Sequence, residues 1–212
     1  MSQRTAAHVC FIGCGAATRT HARLLRGSKI RLSFASRSLA RASAFRTEFH
    51  GETAFESYEA AIDHSSVDLI VVATPPALHF ETAEAAVRAG KAVALVKPAF
   101  PTSGEALFIS RLAESERVPV FVLENYAYKP LLRRLRRVLE SGWIGRPRFI
   151  RVDALKRQRV TGWRAEPSLI GGGPLLEGGI HWVSFMARLG PAVKDAYVIH
   201  AGRAGQLSSL LV

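Results

Sequence analysis

An apolar run, His8–Ile12 (HVCFI), breaks without a linker into Gly13-Cys14-Gly15 and then into a helical stretch that ends near Gly27. Few folds accept that succession so early in a chain. A continuous apolar run is a strand with a layer on each face, and a glycine turn that feeds a helix aims the helix's first N–H groups back over the strand end. The theme then repeats. Residues 30–35 (IRLSFA) alternate as a strand and are followed by a helix through Phe49. Residues 68–73 (DLIVVA) read as a strand buried on both faces, with a helix to Ala89 behind it. Ala92–Val96 is the next strand, residues 103–115 a helix, and residues 118–123 (VPVFVL) another strand. Strands alternating with helices of this length imply right-handed βαβ units, hence an α/β fold on a doubly wound parallel sheet. No internal repeat or low-complexity segment interrupts them.

The alternation stops near Asn125, which puts a domain boundary there, between residues 1–125 and 126–212. Residues 130–141 (PLLRRLRRVLES) form an amphipathic helix: Leu131, Leu132, Leu135, Val138 and Leu139 make one face and four arginines the other. A basic helix can touch lipid or nucleic acid, but a solvated face over a packed stripe is the commoner outcome and the one expected here. Residues 148–154 (RFIRVDA) read as a strand. Residues 171–174 (GGGP) read as a turn introducing a helix to about Leu189. Residues 196–200 are a short strand, and Leu210-Leu211-Val212 reads as the opening of another.

Two hundred and twelve residues, 48% of them hydrophobic, suffice for a real core. The net charge of +12 is unevenly spread. The first acid is Glu48, and before it come Arg4, Arg19, Arg23, Arg26, Lys29, Arg31, Arg37, Arg41 and Arg46. Such a field favours an anionic ligand, a polynucleotide or a phosphorylated cofactor, and it also fits an ordinary basic surface; composition does not separate these. No helix-turn-helix or aromatic–basic interleaving is present, so no nucleic-acid partner is expected. No stretch reaches the roughly 20 apolar residues of a membrane helix. Residues 1–8 are short, polar and continuous with a strand, unlike a signal peptide. A cytoplasmic protein without membrane contact is the expectation. Cys10 and Cys14 are the only cysteines and cannot complete a metal set, which predicts reduced packing thiols and no metal.

Gly13-Cys-Gly15-Ala-Ala-Thr18 sits where a phosphate loop belongs. Gly13 permits the tight turn and Gly15 lets the backbone approach a pyrophosphate, while Ala16 and Ala17 open the helix whose N-terminus faces it. The third position normally holds Gly or Ala for close helix–strand packing, and Thr18 adds bulk there. The end of the second strand bears on the cofactor. An NAD site places Asp or Glu about 20 residues on, to bind the ribose hydroxyls. Here the chain reads Ala35-Ser36-Arg37-Ser38. Ser36 and Ser38 can donate, and Arg37 can pair with a 2′-phosphate, so NADP is expected over NAD. Ser38 also suits a helix N-cap, and both roles can hold at once.

Seven segments carry a wider likeness: GCGAATRTH (13–21), ATPPALHFETAEAAVRAGKAV (73–93), VKP (96–98), ENYAYKP (124–130), SGWIGRPRFIRV (141–152), GW-Arg (162–164) and GGGPLLEGGIH (171–181). Together, in this order and across nearly the whole chain, they resemble the Gfo/Idh/MocA family, named for glucose–fructose oxidoreductase and inositol dehydrogenase. The resemblance implies a dinucleotide-binding Rossmann domain, then a C-terminal α/β domain with a large open mixed sheet, with the active site between them. It matches Lys97 to the lysine of a Glu-Lys-Pro motif beside the nicotinamide ribose and the reacting hydroxyl. It matches Glu177 and His181 to an Asp-x-x-x-His pair whose histidine accepts the proton. Thr74, Pro75, Pro76 and His79 match a loop lining the cofactor, and Trp163 and Arg164 a pair that touches the dinucleotide. Three features depart from the family pattern: Val96 replaces the motif's glutamate, Glu177 is a methylene longer than aspartate, and the second domain is short.

The residues carry chemistry of the same kind. Lys97 lies beyond the C-terminal end of a parallel strand, the side on which open sheets bind ligands, and could hold a sugar hydroxyl or polarise an alkoxide. Glu177 and His181, four apart on a helix begun by Pro174, would stack on one face so that the carboxylate fixes the imidazole as a general base. The same pair could equally be a local i,i+4 contact in a first helical turn. Flanking glycines allow a ligand close approach. Tyr126 and Tyr128 could face the same cleft or pack. The implied reaction is hydride transfer between NADP and a carbinol carbon of a sugar, polyol or related cyclic alcohol. The alternatives are an NAD(P)-dependent glycosidase of the same family and a truncated, non-catalytic dinucleotide-binding protein. The second domain is expected to be incomplete as given, with a homo-oligomer forming if its sheet is completed.

Overall fold

Every residue of the first strand, β1 (His8–Ile12), is buried, and strand alternation divides its side chains between two cores. Val9 and Phe11 pack with Leu32, Phe34, Ala42, Phe45 and Phe49, while Cys10 and Ile12 pack with Ile70, Val72, Val87, Leu95 and Ile109. Its sheet partners are β2 (Arg31–Ala35), β3 (Ala54–Phe55), β4 (Leu69–Val72), β5 (Ala92–Val96) and β6 (Val120–Leu123). All pair in parallel, in the order β3-β2-β1-β4-β5-β6. The direction of winding reverses between β1 and β4, and open parallel sheets bind ligands outside the strand ends at such a point.

This is a computed structural model, and it describes residues 6–154, 161–170, 175–190, 195, 197–200 and 208–211. The chain divides into two compact units, Met1–Leu123 and Glu124–Val212.

In the first unit α1 (Ala16–Leu25), α2 (Leu39–Phe49), α3 (Tyr58–Ile62), α4 (His79–Arg88) and α5 (Ser103–Glu116) connect the strands. Their starts are written in the sequence. Ser38 caps α2 by accepting from Arg41 N–H, Ser57 caps α3 by accepting from Ala60 N–H, and Thr102 with Glu105 closes a capping box on α5. Phe11, Phe34, Phe45 and Phe49 hold α2 to the sheet, with ring centroids about 5.8–5.9 Å apart. Burying one such ring contributes roughly 1.5–3 kcal/mol.

The second unit contains α6 (Pro130–Glu140), α7 (Pro167–Ile170), a turn of π-helix at Leu175–Gly179, α8 (Ile180–Ala187), and β7 (Tyr197–His200) paired antiparallel with β8 (Ser208–Leu211). Leu132, Phe185 and Leu189 form its core, with Tyr126, Leu135, Leu139 and Trp182 packed against them. The apolar stripe of α6 is thus partly used. Leu132 is buried, whereas Leu131 at the same end is exposed.

Two expectations change. Residues 148–154 form no strand: Phe149 and Ile150 are exposed, and an alternating pattern makes a strand only where a neighbour takes its hydrogen bonds. The helix over Glu177 and His181 is not one α-helix, because the wider π turn precedes α8. The glycine turn at 171–174 lies outside the described residues. β3 and α3, too short for any periodicity, lie between α2 and β4, in a span where the sequence pattern marks no element.

Candidate functional site

Gly13 leaves β1 with φ +98°, and the backbone leaving β4 at Ala73 fills the place where a side chain would stand. Gly15 is the N-cap of α1 with no side-chain cap, and, its chain neighbours aside, no atom of the described residues lies within 4 Å of its absent Cβ. An open cradle results, with the first N–H groups of α1, from Ala16 and Ala17 onward, lacking intrahelical acceptors by helix geometry. Thr18 does not disturb it. Its side chain is buried and its hydroxyl donates to the Gly13 carbonyl, so the bulk expected to separate helix and strand ties them together. Cys14 in this loop is buried and donates to Ala35 O; burial pushes its thiol up to about 11, as expected of an inert packing cysteine.

Beyond β2, Ser36 is buried and Ser36 Oγ accepts from Ser38 N–H at 3.3 Å, while Ser38 Oγ accepts from Arg41 N–H at 3.4 Å. Each hydroxyl keeps its own proton to donate. Arg37 is exposed beside Tyr58, whose phenol is pushed up by burial and held back in part by this guanidinium.

The loop after β4 contains Thr74, Pro75 and Pro76. Thr74 is buried, and its Oγ1 has no hydrogen-bond partner among the described residues. Its backbone N lies 3.1 Å from the point a Gly13 Cβ would take, so the Thr74 backbone borders the glycine cradle. His79, first residue of α4, is fully buried. Nε2 lies 2.8 Å from Thr74 O and Nδ1 2.9 Å from Ala99 O, so the ring bridges the loops that follow β4 and β5. Burial lowers its pKa, and the carbonyls act against that. In this structure His79 ties the two loops together through those two carbonyls. Lys97 follows β5 at its C-terminal end, and the Lys97–Pro98 peptide is cis.

In the second unit His181 Nδ1 lies 2.7 Å from Glu124 Oε1, which also accepts from Tyr126 N–H at 2.8 Å. The imidazole stacks on the Tyr126 ring at 4.4 Å, and Lys129 Nζ stands 3.4 Å from that ring's centroid. Glu177, expected to orient His181, forms an ion pair with Arg164, whose guanidinium lies 4.3 Å from the Trp163 ring centroid. Sequence reasoning missed Glu124. The one available signal was the segment ENYAYKP, in which the glutamate follows directly on an apolar strand, an unusual place for a charge.

The first unit suits a dinucleotide. The uncapped, open Gly15 and the orphaned Thr74 hydroxyl are what a phosphate-bearing ligand at a helix N-terminus would complete.

Comparison with known proteins agrees. Residues 7–124 match the Gfo/Idh/MocA oxidoreductase family, NAD-binding Rossmann fold, and residues 132–205 match a Gfo/Idh/MocA C-terminal domain. The mouse (Mus musculus) trans-1,2-dihydrobenzene-1,2-diol dehydrogenase is 30% identical over 81% of this chain and 51% of its own length. The 1,5-anhydro-D-fructose reductase of Ensifer adhaerens is 31% identical over 71% of this chain and 46% of its own. Among solved structures, biliverdin reductase from Synechocystis with biliverdin and NADP+ superposes with a TM-score of 0.80 at 26% identity, over 91% of this chain and 60% of that one. A 3-ketoreductase from Actinomadura kijaniata with TDP-benzene and NADP gives 0.78 at 25% identity, over 92% and 60%. The chain spans about half the length of the curated relatives it matches. Among the described residues, no helix is long and apolar enough to cross a membrane.

Proposed function

Because the chain belongs to the Gfo/Idh/MocA oxidoreductase family, we propose that it binds NADP and transfers hydride between that cofactor and a carbinol carbon of a sugar, polyol or related cyclic alcohol. One observation carries the reading: the uncapped glycine cradle at the winding reversal of a parallel sheet, bordered by the backbone of Thr74, whose buried hydroxyl has no partner among the described residues. The relatives' names, a diol dehydrogenase and an anhydrofructose reductase, support the substrate class.

In this reading the N–H groups from Ala16 onward hold the pyrophosphate, with Gly13 and Gly15 giving it room. Ser36, Arg37 and Ser38 take the 2′-phosphate, Arg37 by a charge-assisted pair. Thr74, Pro75 and Pro76 line the cofactor, in a loop shaped by His79. Bound there, the nicotinamide supplies or accepts hydride, and the protein contributes orientation and proton handling. Lys97 holds the substrate oxygen and steadies negative charge on it. His181 takes the hydroxyl proton in oxidation and returns it in reduction.

Fluorescence titration with NADPH and NADH, followed by turnover of NADPH with 1,5-anhydro-D-fructose and other keto-sugars and of NADP with cyclic diols, tests this. We expect tight NADPH binding, turnover on at least one member of the panel, and losses of roughly 100-fold or more in Lys97→Met and His181→Ala. A chain that binds neither reduced cofactor, or binds and turns over nothing on the panel, overturns the reading.

A further inference from the structure

We propose that Glu124 is the positioning residue for His181, fixing the tautomer that leaves Nε2 as the proton acceptor; this rests on the function proposed above. Glu124 is 7% exposed. Its Oε1 receives two donors, Tyr126 N–H at 2.8 Å and His181 Nδ1 at 2.7 Å. An ionised carboxylate only accepts, so the Nδ1 atom bears the hydrogen and the Nε2 lone pair is left for a substrate proton. The stack of the imidazole on Tyr126, at 4.4 Å and 19° between planes, opposes the ring flip that would exchange the two nitrogens.

Glu124 Oε2 points to the same role. It is buried and has no hydrogen-bond partner among the described residues. A buried carboxylate oxygen without a donor is unfavourable in a resting protein, and a positive charge beside it offsets that. His181 becomes such a charge when it accepts a proton. In oxidation the substrate O–H proton moves to Nε2 while the C–H hydride leaves for the oxidised nicotinamide, giving C=O. The Nδ1 hydrogen stays in place and Glu124 stays ionised throughout. Reduction runs the same transfers backward. Glu177, the acid closer in sequence, is engaged with Arg164.

Long-range 1H–15N spectra of the chain labelled with 15N-histidine, with His181 assigned by its loss in His181→Asn, read the tautomer directly. We expect the Nδ1–H form in the unmodified protein and conversion to the Nε2–H form in Glu124→Leu. Glu124→Gln, which keeps an acceptor of the same shape, should retain Nδ1–H but lower kcat by roughly 10–100-fold. Its KM and NADPH affinity should stay within about threefold of the parent, and in a His181→Ala background it should add nothing. An Nε2–H form in the unmodified chain overturns the proposal, as does full kcat in Glu124→Gln. If His181→Ala loses turnover while Glu124→Gln does not, the assignment of Glu124 alone fails. If His181→Ala keeps full turnover, the proposed function fails with it.

Discussion

The carbonyl oxygen of Ala73 lies 2.7 Å from the point a Cβ on Gly13 would occupy, and the Ala73 carbonyl carbon 2.9 Å from it. Both are backbone atoms, in a residue whose N–H donates to Ile12 O at 2.8 Å, so neither swings aside as a side-chain tip would. Gly13 also has φ +98°, which side chains rarely adopt. Gly13→Ala should therefore destabilise the fold, by on the order of 1–3 kcal/mol from backbone strain alone, and abolish NADPH binding. Gly15 is the contrasting case: its chain neighbours aside, no atom of the described residues lies within 4 Å of its absent Cβ. Gly15→Ala should shift stability by no more than about 0.5 kcal/mol while weakening NADPH, because the new methyl would stand in the cradle. Thermal melts and NADPH titrations of both variants check this, and undiminished NADPH affinity in Gly15→Ala would count against the cradle.

In the function proposed above, Arg37 is the residue that distinguishes the two dinucleotides. It is exposed, no acid replaces the ribose-binding carboxylate, and Ser36 and Ser38 keep hydroxyl protons to donate. Loss of one charge-assisted contact should cost about 1.5–3 kcal/mol, or roughly 10- to 150-fold in affinity. Arg37→Ala should therefore lose NADPH affinity by that factor and leave NADH nearly unchanged. Equal losses for both cofactors would mean that Arg37 acts on the fold or on the pyrophosphate.

The acid limb of stability follows from three histidines. Burial lowers the pKa of His8, His21 and His79 below the ordinary imidazole value of 6.5. At His8 the neighbouring Arg31 adds to the shift and Glu52 opposes it. Below 6.5 the unfolded chain binds these protons more readily than the folded one. Their contribution is therefore fully present above that value and is lost as the pH falls toward the depressed values in the fold. Urea midpoints measured from about pH 8 down to about pH 5 should fall, and His21→Gln, where burial is the only cause, should flatten part of that slope. A midpoint that rises on acidification would contradict this assignment.

The parts of the molecule that were legible in the sequence are those whose signals are local. Phe11 and Phe34 sit in apolar runs between turn residues, and Gly13 and Gly15 sit at the end of the first such run; burial on both faces demands nothing more distant than the next helix. Ser38 and Thr102 announce their helices by hydrogen bonds to residues three along. Glu124 could not be found that way, because its partner His181 is 57 residues away. The ion pair of Glu177 with Arg164 was illegible for another reason. The spacing of Glu177 to His181 suits an α-helix, and nothing in Leu175–Gly179 marks the wider π turn that the structure has there. Residues 148–154 alternate as a strand should, but alternation cannot supply the neighbouring backbone that a strand requires.

Those residues also motivate the last prediction. Trp143 is 84% exposed, Ile144 61%, Phe149 83% and Ile150 41%, all within one segment of the second unit. Scattered apolar side chains on a surface are ordinary, but two large rings and two isoleucines so close in sequence are a concentration that soluble monomers usually avoid. Each Å² of apolar surface removed from water contributes roughly 25 cal/mol, so covering these side chains with a second copy of the chain would be favourable by several kcal/mol before the loss of freedom on association. The backbone of residues 148–154 adds to this, because its alternating pattern would suit a strand if another chain supplied the edge. The chain should therefore self-associate in a concentration-dependent way. Trp143→Ser combined with Phe149→Ser should reduce that association without moving NADPH affinity, since both positions lie outside the glycine cradle and its loops. Sedimentation velocity across a concentration series, run on the parent and the double variant, gives the answer. A parent chain that stays monomeric at about 100 µM, well above the range in which exposed hydrophobic surface ordinarily drives association, would show that these side chains are covered within the chain itself.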